Sequence, residues 1–263
     1  MDIELQTLIW DLEMELIVIG SGTGLPSLSR ASPGMVVKAN DKIFLFDSGS
    51  GTLMGLLRTG ITYKDLDYLF YSHLHPDHTL DLVSILFAAK NPQDPRKNDL
   101  FIIAPKGFRD FYNGLLKNFG DSIKPESYMV RLNEVWDSQI EYDGWHLIAK
   151  PLVHTQTSIG YRIEFVDGKS IVYSGDTDYC KNLVELARDV ELLILECSFP
   201  DGQRVEGHLT PSSAGRIAVE SGSRRLLLTH LYPVCEGHDI LSQCREVFKG
   251  EIILAKDLMR LEV

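Results

Sequence analysis

Two kinds of apolar run alternate along this chain, and their order predicts its architecture. Short, nearly continuous apolar stretches bounded by turn-forming residues read as buried strands: MELIVIG from Met14, Met35–Lys38, Lys42–Phe46 and Leu66–Tyr71. Residues 50–59 and Thr79–Lys90 instead space their apolar positions as helices do, with Thr79 a candidate N-cap. The stretch NPQDPRKND (91–99) carries two prolines and mixed charge and predicts a loop. A strand over Leu100–Ala104 and a helix over Lys106–Asn118 follow.

The middle of the chain is strand-rich, with runs at Ser127–Arg131, Gln139–Tyr142, Trp145–Lys150, Gly160–Phe165 and Lys169–Tyr173. In GYRIEFVDGKSIVYSGD, the Asp167-Gly168 pair predicts a tight hairpin. Helices at about 181–188 and 210–220 then alternate with strands at 190–195 and 225–229. Strand runs with helices after each half predict an α/β fold in which two sheets pack together and helices cover them. No compositional break divides the chain, so the expectation is one domain over 14–263 behind an extension at 1–13.

Composition adds exclusions. With 263 residues and 44% hydrophobic content, the chain can bury a core without staples. A net charge of −11 repels polyanions at long range, so extended nucleic-acid binding would need a local basic patch. Arg216, Arg224 and Arg225 are the candidates for one, or else solvated side chains. Cys180, Cys197, Cys235 and Cys244 show no paired spacing and read as reduced thiols, as in a cytoplasmic protein. The opening MDIELQTLIWDLEMEL lacks the basic start and long apolar core of a signal peptide, and no apolar run is long enough to span a bilayer; no membrane partner is expected.

The chemistry concentrates in Ser72-His73-Leu74-His75-Pro76-Asp77-His78, directly after a strand. Imidazole and carboxylate suit zinc and similar divalent ions, and a tight loop can turn alternate residues to one metal and the next two to another. His154, Asp176 and His230 each follow a strand-like run and would complete seven ligands. Each of the three, taken alone, is equally well a hydrogen-bonded structural residue.

These motifs resemble the metallo-β-lactamase superfamily, and specifically its ribonuclease Z-like branch. HLHPDH matches HxHxDH, and GSGTGLPSLSR, GYRIE, YSGDT, ILECSF, GHLTPSSAGRIA and LLLTH follow in the branch's order. The resemblance implies a four-layer αββα sandwich with the site at one edge of the paired sheets. It implies that His73, His75 and His154 hold one metal, that Asp77, His78 and His230 hold the other, and that Asp176 bridges them. The expected cofactors are two divalent ions, zinc foremost, with manganese or iron as alternatives. Such a pair can bring a water's pKa down to about 7 and clamp an oxyanion. Asp77 can orient that water, His208 matches the branch's proton donor, and Glu196 matches the carboxylate that orients it. Asp47 looks like a carboxylate that orients a metal-bound histidine, and relatives in the branch are often homodimers.

Two features qualify the resemblance, the net charge of −11 and a short stretch between two of the ligand positions. Ribonuclease Z enzymes commonly carry a long basic or glycine-rich arm between the positions of His154 and Asp176; here only 22 residues separate them, filled by the hairpin. The expected substrate is therefore a cyclic nucleotide, a nucleotide diester or a short oligonucleotide. Transfer-RNA 3′ processing, a lactonase or thioesterase, and a non-hydrolytic diiron protein are the alternatives. The GSGTG at 20–24 lacks the third glycine of a dinucleotide loop, since position 25 is Leu25, and reads as lining the substrate phosphate or shaping the site edge. His238 reads as a loop histidine that could touch substrate, His146 carries no assigned role, and loops 91–99 and 231–240 are expected to set substrate choice.

Overall fold

The structure, a computed structural model, describes residues 14–263; the expected extension at 1–13 lies outside the described residues. The first half runs β1 (Glu15–Gly20), β2 (Gly34–Ala39), β3 (Lys42–Phe46), α1 (Thr52–Arg58), β4 (Tyr68–Phe70), α2 (Pro76–Thr79), α3 (Asp81–Ala89), β5 (Leu100–Pro105), α4 (Phe108–Phe119) and β6 (Val130–Val135). The second runs β7 (Ser138–Tyr142), β8 (Trp145–Pro151), β9 (Ile159–Phe165), β10 (Ser170–Tyr173), α5 (Lys181–Leu186), β11 (Leu192–Glu196), α6 (Pro211–Ser221), β12 (Arg225–Thr229), α7 (Ile240–Val247), β13 (Glu251–Leu254) and β14 (Arg260–Glu262).

Two mixed sheets result, ordered β14-β1-β2-β3-β4-β5-β6 and β13-β12-β11-β10-β9-β8-β7. Their near-continuous apolar strands are explained by burial on both faces. In β1, Leu16 and Val18 face the interior between the sheets with Phe44, Phe46, Phe70, Trp145 and Tyr161. Ile17 and Ile19 point the other way, to Leu56 of α1, Leu82 and Leu86 of α3 and Phe108 of α4. On the far side, Leu193 and Leu195 of β11 pack under Leu183, Ile217 and Cys244 of α5, α6 and α7. This is the four-layer αββα arrangement.

Strand direction positions the site. β3, β4, β5 and β6 are mutually parallel, as are β10, β11, β12 and β13. β8 is antiparallel to β9, which is antiparallel to β10, so β8 runs with β10. Asp47, His73, His154, Asp176, Glu196 and His230 all follow or end the C-terminal ends of these strands, hence one edge of the sandwich.

Four readings are corrected. Thr79 does not cap a helix; its hydroxyl donates back to His75 O at 3.0 Å, closing α2, and Leu80 holds the cap position of α3. The strand expected at Ser127–Arg131 runs Val130–Val135, because pairing with β5 from Leu100↔Val130 to Pro105↔Val135 sets its limits. The pattern reading ended at residue 229, whereas α7, β13 and β14 follow; β14 is three residues long and half-exposed, with no apolar run to betray it. Loop 91–99 enters the N-terminal end of β5, while His73 leaves the C-terminal end of the parallel β4. It sits at the opposite edge from the site and is no substrate loop. There Arg96, 2% exposed, donates to the carbonyls of Tyr63, Lys64, Leu66, Asn98 and Asp99 at 2.5–3.1 Å.

The basic candidates form no patch: Arg216, Arg224 and Arg225 pair with Glu220, Glu191 and Glu251 at 2.7, 2.8 and 3.1 Å. The four cysteines are free thiols, three of them buried. No described helix is long and apolar enough to cross a membrane.

Candidate metal centre

Local sequence turns the 73–78 loop inward. Pro76 opens α2 at its first position, where its missing N–H costs nothing, and His75 precedes it with extended backbone. Ser48 N donates to His78 O and Asp81 N donates to Ser48 O, at 2.8 and 2.9 Å, which stitches the loop to the end of β3. Gly175 has φ +58°, and a Cβ there would meet Ser72 Cβ at 2.3 Å, so only glycine lets the Asp176 loop approach the His73 loop this closely. Gly24, in the loop after β1, lies against Asp77; an added Cβ would stand 3.3 Å from its Cβ. The GSGTG segment thus borders the ligand loop at Gly24.

Four histidines have one ring nitrogen fixed by the protein. His78 Nδ1 donates to Asp47 Oδ2 at 2.7 Å. Ser72 Oγ donates to the same carboxylate at 2.8 Å and so accepts from His73 Nδ1 at 3.0 Å. His154 Nδ1 donates to Gly207 O at 3.0 Å. Ser198 Oγ donates to Glu196 and accepts from His230 Nδ1 at 2.9 Å. A proton on each Nδ1 leaves each Nε2 as a lone pair, and all four lone pairs face one space.

Within that space the donors form two sets. His73 Nε2 and His154 Nε2 lie 3.0 and 3.1 Å from His75 Nδ1. His78 Nε2 and His230 Nε2 lie 3.3 Å apart, with Asp77 Oδ2 at 3.8 and 3.6 Å. Asp176 divides its carboxylate between them: Oδ1 is 3.3 Å from His78 and His230, and Oδ2 is 3.8 and 3.7 Å from His73 and His154. Within each set, one ligand atom per residue lies within 4.8 Å of the others.

The donor set fits a pair of cations. Asp176 Oδ1 is buried without a hydrogen-bond partner among the described residues, and the nitrogens nearest it offer lone pairs rather than protons. Such an arrangement is repulsive unless a cation or an added proton occupies it. Burial would raise Asp176, yet His230, His78 and His73 hold its carboxyl well below the usual range. Burial opposes charging His78, but the Asp176 and Asp47 carboxylates outweigh it and raise its pKa well above the usual imidazole value. Burial, together with the neighbouring His78, pushes His73 well down.

His208 stands beside this cluster. Its Nδ1 donates to Glu196 Oε1 at 2.9 Å, and one of its ring nitrogens falls within 4.8 Å of ligand atoms of Asp176 and His230. Burial works against its charge, and the Glu196 carboxylate outweighs burial, raising its pKa. His75 is exposed while Asp77, His154 and His208 are half-buried, so the centre opens to solvent on their side.

All nine residues singled out for metal binding or catalysis thus converge, and Asp47 bonds His78 as expected. His238 lies apart, against Gln203 at 3.2 Å, and His146 pairs with Glu164 at 3.4 Å. Sequence reasoning missed Ser72, Tyr173 and Ser198. Tyr173 OH donates to Asp47 at 2.7 Å, and the two serines relay carboxylates to histidines. Ser72 is flagged by its place beside His73; Ser198 and Tyr173 carry no local signal.

A family model described as a beta-lactamase superfamily domain matches residues 43–231. The chain is 30% identical to the Ribonuclease Z of Mycobacterium marinum, covering 95% of this chain and 99% of that protein. It is 27% identical to the Ribonuclease BN of Cronobacter sakazakii over 310 positions, covering 95% of this chain and all of that protein. The crystal structure of the metallo-β-lactamase fold protein YhfI from Bacillus subtilis superposes with a TM-score of 0.83 at 25% identity, over 96% of this chain and all of that one.

Proposed function

This chain belongs to the metallo-β-lactamase superfamily, in its ribonuclease Z-like branch, and is a metal-dependent hydrolase; on that footing we propose that it cleaves phosphodiesters, with cyclic nucleotides, nucleotide diesters or short oligonucleotides as substrates. The observation that carries the reading is the Glu196–His208 pair, 2.9 Å apart and set against the metal-ligand cluster. An imidazole whose proton affinity is raised by a buried carboxylate can serve as a proton donor, and a departing alkoxide requires one.

His73, His75 and His154 would hold one cation and Asp77, His78 and His230 the other, with Asp176 reaching both. Imidazole-rich ligation favours zinc. Two bound cations supply charge neutralisation at the phosphate and a water acidified to react near neutral pH. Asp77 accepts a hydrogen bond from the attacking water. His208, its Nδ1 tied to Glu196, presents Nε2 to the leaving oxygen. Asp47, Ser72 and Ser198 fix the imidazoles so that no side-chain ordering is needed as substrate binds.

A transfer-RNA substrate is less well supported. The stretch between His154 and Asp176 is the β9–β10 hairpin and its short approaches, with no arm. The Ribonuclease BN alignment spans 310 positions, while 95% of 263 residues is about 250, so that relative carries segments this chain lacks.

The test is a panel assayed on metal-reconstituted protein: a cyclic nucleotide, a dinucleotide diester, bis(p-nitrophenyl) phosphate, precursor transfer RNA, a lactone and a thioester. Diester cleavage is expected. Lactone or thioester turnover without diester turnover would move the chain to acyl chemistry. The homodimer belongs to the same proposal and is checked by sedimentation.

A further inference from the structure

Among the described residues, Phe199 and Tyr232 lie outside the three apolar clusters that form the core, although each is half-buried. They stack on each other instead, ring centroids 4.7 Å apart and 20° from parallel. Phe199 meets His208 edge-on at 5.6 Å, and Tyr232 meets His208 and His230 edge-on at 6.1 and 5.9 Å. Both leave strand ends that also carry site residues, Glu196 of β11 and His230 after β12.

The pair is held in place by its loops. Tyr232 N donates to Ser198 O at 3.3 Å, joining the two ring-bearing segments. Further out, Gln203 and His238 meet at 3.2 Å, and Ser29 Oγ donates to Glu236 at 3.0 Å. A fixed aromatic surface at the mouth of a cation-binding site offers a π-face to a planar group whose phosphate lies on the cations.

We propose that Phe199 and Tyr232 form a nucleobase platform that receives the base of the leaving nucleoside. This deepens the phosphodiesterase reading and rests on it for the word leaving: the rings contact His208, the residue that would protonate the departing oxygen. Stacking on an aromatic face tolerates every base, so the platform selects nucleotides over simple alkyl diesters without selecting sequence.

The experiment has a turnover arm and a binding arm. In the first, kcat/KM is measured for a dinucleotide diester and for the same diester with a base-free tetrahydrofuran sugar on the leaving side. The base is expected to favour cleavage by about 10-fold, from the usual strength of base–aromatic stacking. Tyr232→Leu and Phe199→Leu should each bring that ratio toward unity, while Tyr232→Phe retains it. In the second, titration calorimetry compares adenosine 5′-monophosphate with ribose 5-phosphate on the zinc-loaded protein, and the nucleotide should bind about 10-fold tighter, a preference lost in Tyr232→Leu. Equal ratios in the wild type, or a preference that survives both leucine variants, would overturn the platform. Nucleotide preference in binding with no diester turnover would leave the platform standing and remove the phosphodiesterase reading instead.

Discussion

Two edges of the sandwich bury charged groups, and they treat them in opposite ways. At the entry to β5, the Arg96 guanidinium is surrounded by five carbonyls that accept its protons, so the protein itself completes the site. At the C-terminal edge, four imidazoles are fixed through Nδ1 and left with lone pairs converging on Asp176, whose Oδ1 has no hydrogen-bond partner among the described residues. A buried polar group satisfied by its own chain is architecture. Buried acceptors facing one another ask for something the chain does not contain, and the separation of these donors suits two divalent ions.

The comparison breaks most sharply at Asp176, the residue shared by both proposed ligand sets. Asp176→Ala should abolish diesterase activity and lower metal content toward one ion or fewer by elemental analysis. Two tightly held ions in that variant would mean that the ligand sets are wrongly drawn. His208→Ala should keep its metal and lose roughly 10²–10⁴-fold in kcat on a dinucleotide diester. The loss should be smaller on bis(p-nitrophenyl) phosphate, because p-nitrophenolate departs without needing a proton. Equal losses on both would remove the proton-donor role.

Asp47→Asn sharpens the same edge from one layer further out. It leaves the ligands in place but weakens the hold on His78 and Ser72, so metal affinity should fall about 10–100-fold, read by competition with a chromogenic chelator. At the opposite edge, Arg96→Ala should leave metal content intact and lower stability instead. With several carbonyls losing a charged donor, the cost is about 3 kcal/mol or more, measured by urea unfolding. Metal loss in folded Arg96→Ala protein would show that the two edges are not independent.

How much of this was legible depends on how local each signal is. The double-faced burial of β1, β3, β10 and β11 writes itself as uninterrupted apolar runs, so the sheets and their helical covers could be read directly. β14 could not, because its place beside β1 is set by pairing and only one of its three residues is apolar. In the site, four donors within six residues and the strand-end histidines stood out. Ser198 and the Gly207 carbonyl did not, since a serine or a backbone oxygen acquires a role only when folding brings an imidazole to it. Loop 91–99 misled for a related reason. Its prolines and mixed charge mark it as a loop, and only the parallel pairing of β4 with β5 shows that it lies away from the edge that carries the histidine cluster.

The central claim is that this edge holds a pair of cations for hydrolysis of phosphodiesters. The most direct test strips the protein with chelator and titrates zinc back while following cleavage of a dinucleotide diester. The account predicts no activity in the stripped protein and a rise that levels off at about two equivalents per chain. Full activity before any metal is added, or a plateau at one equivalent, would contradict it.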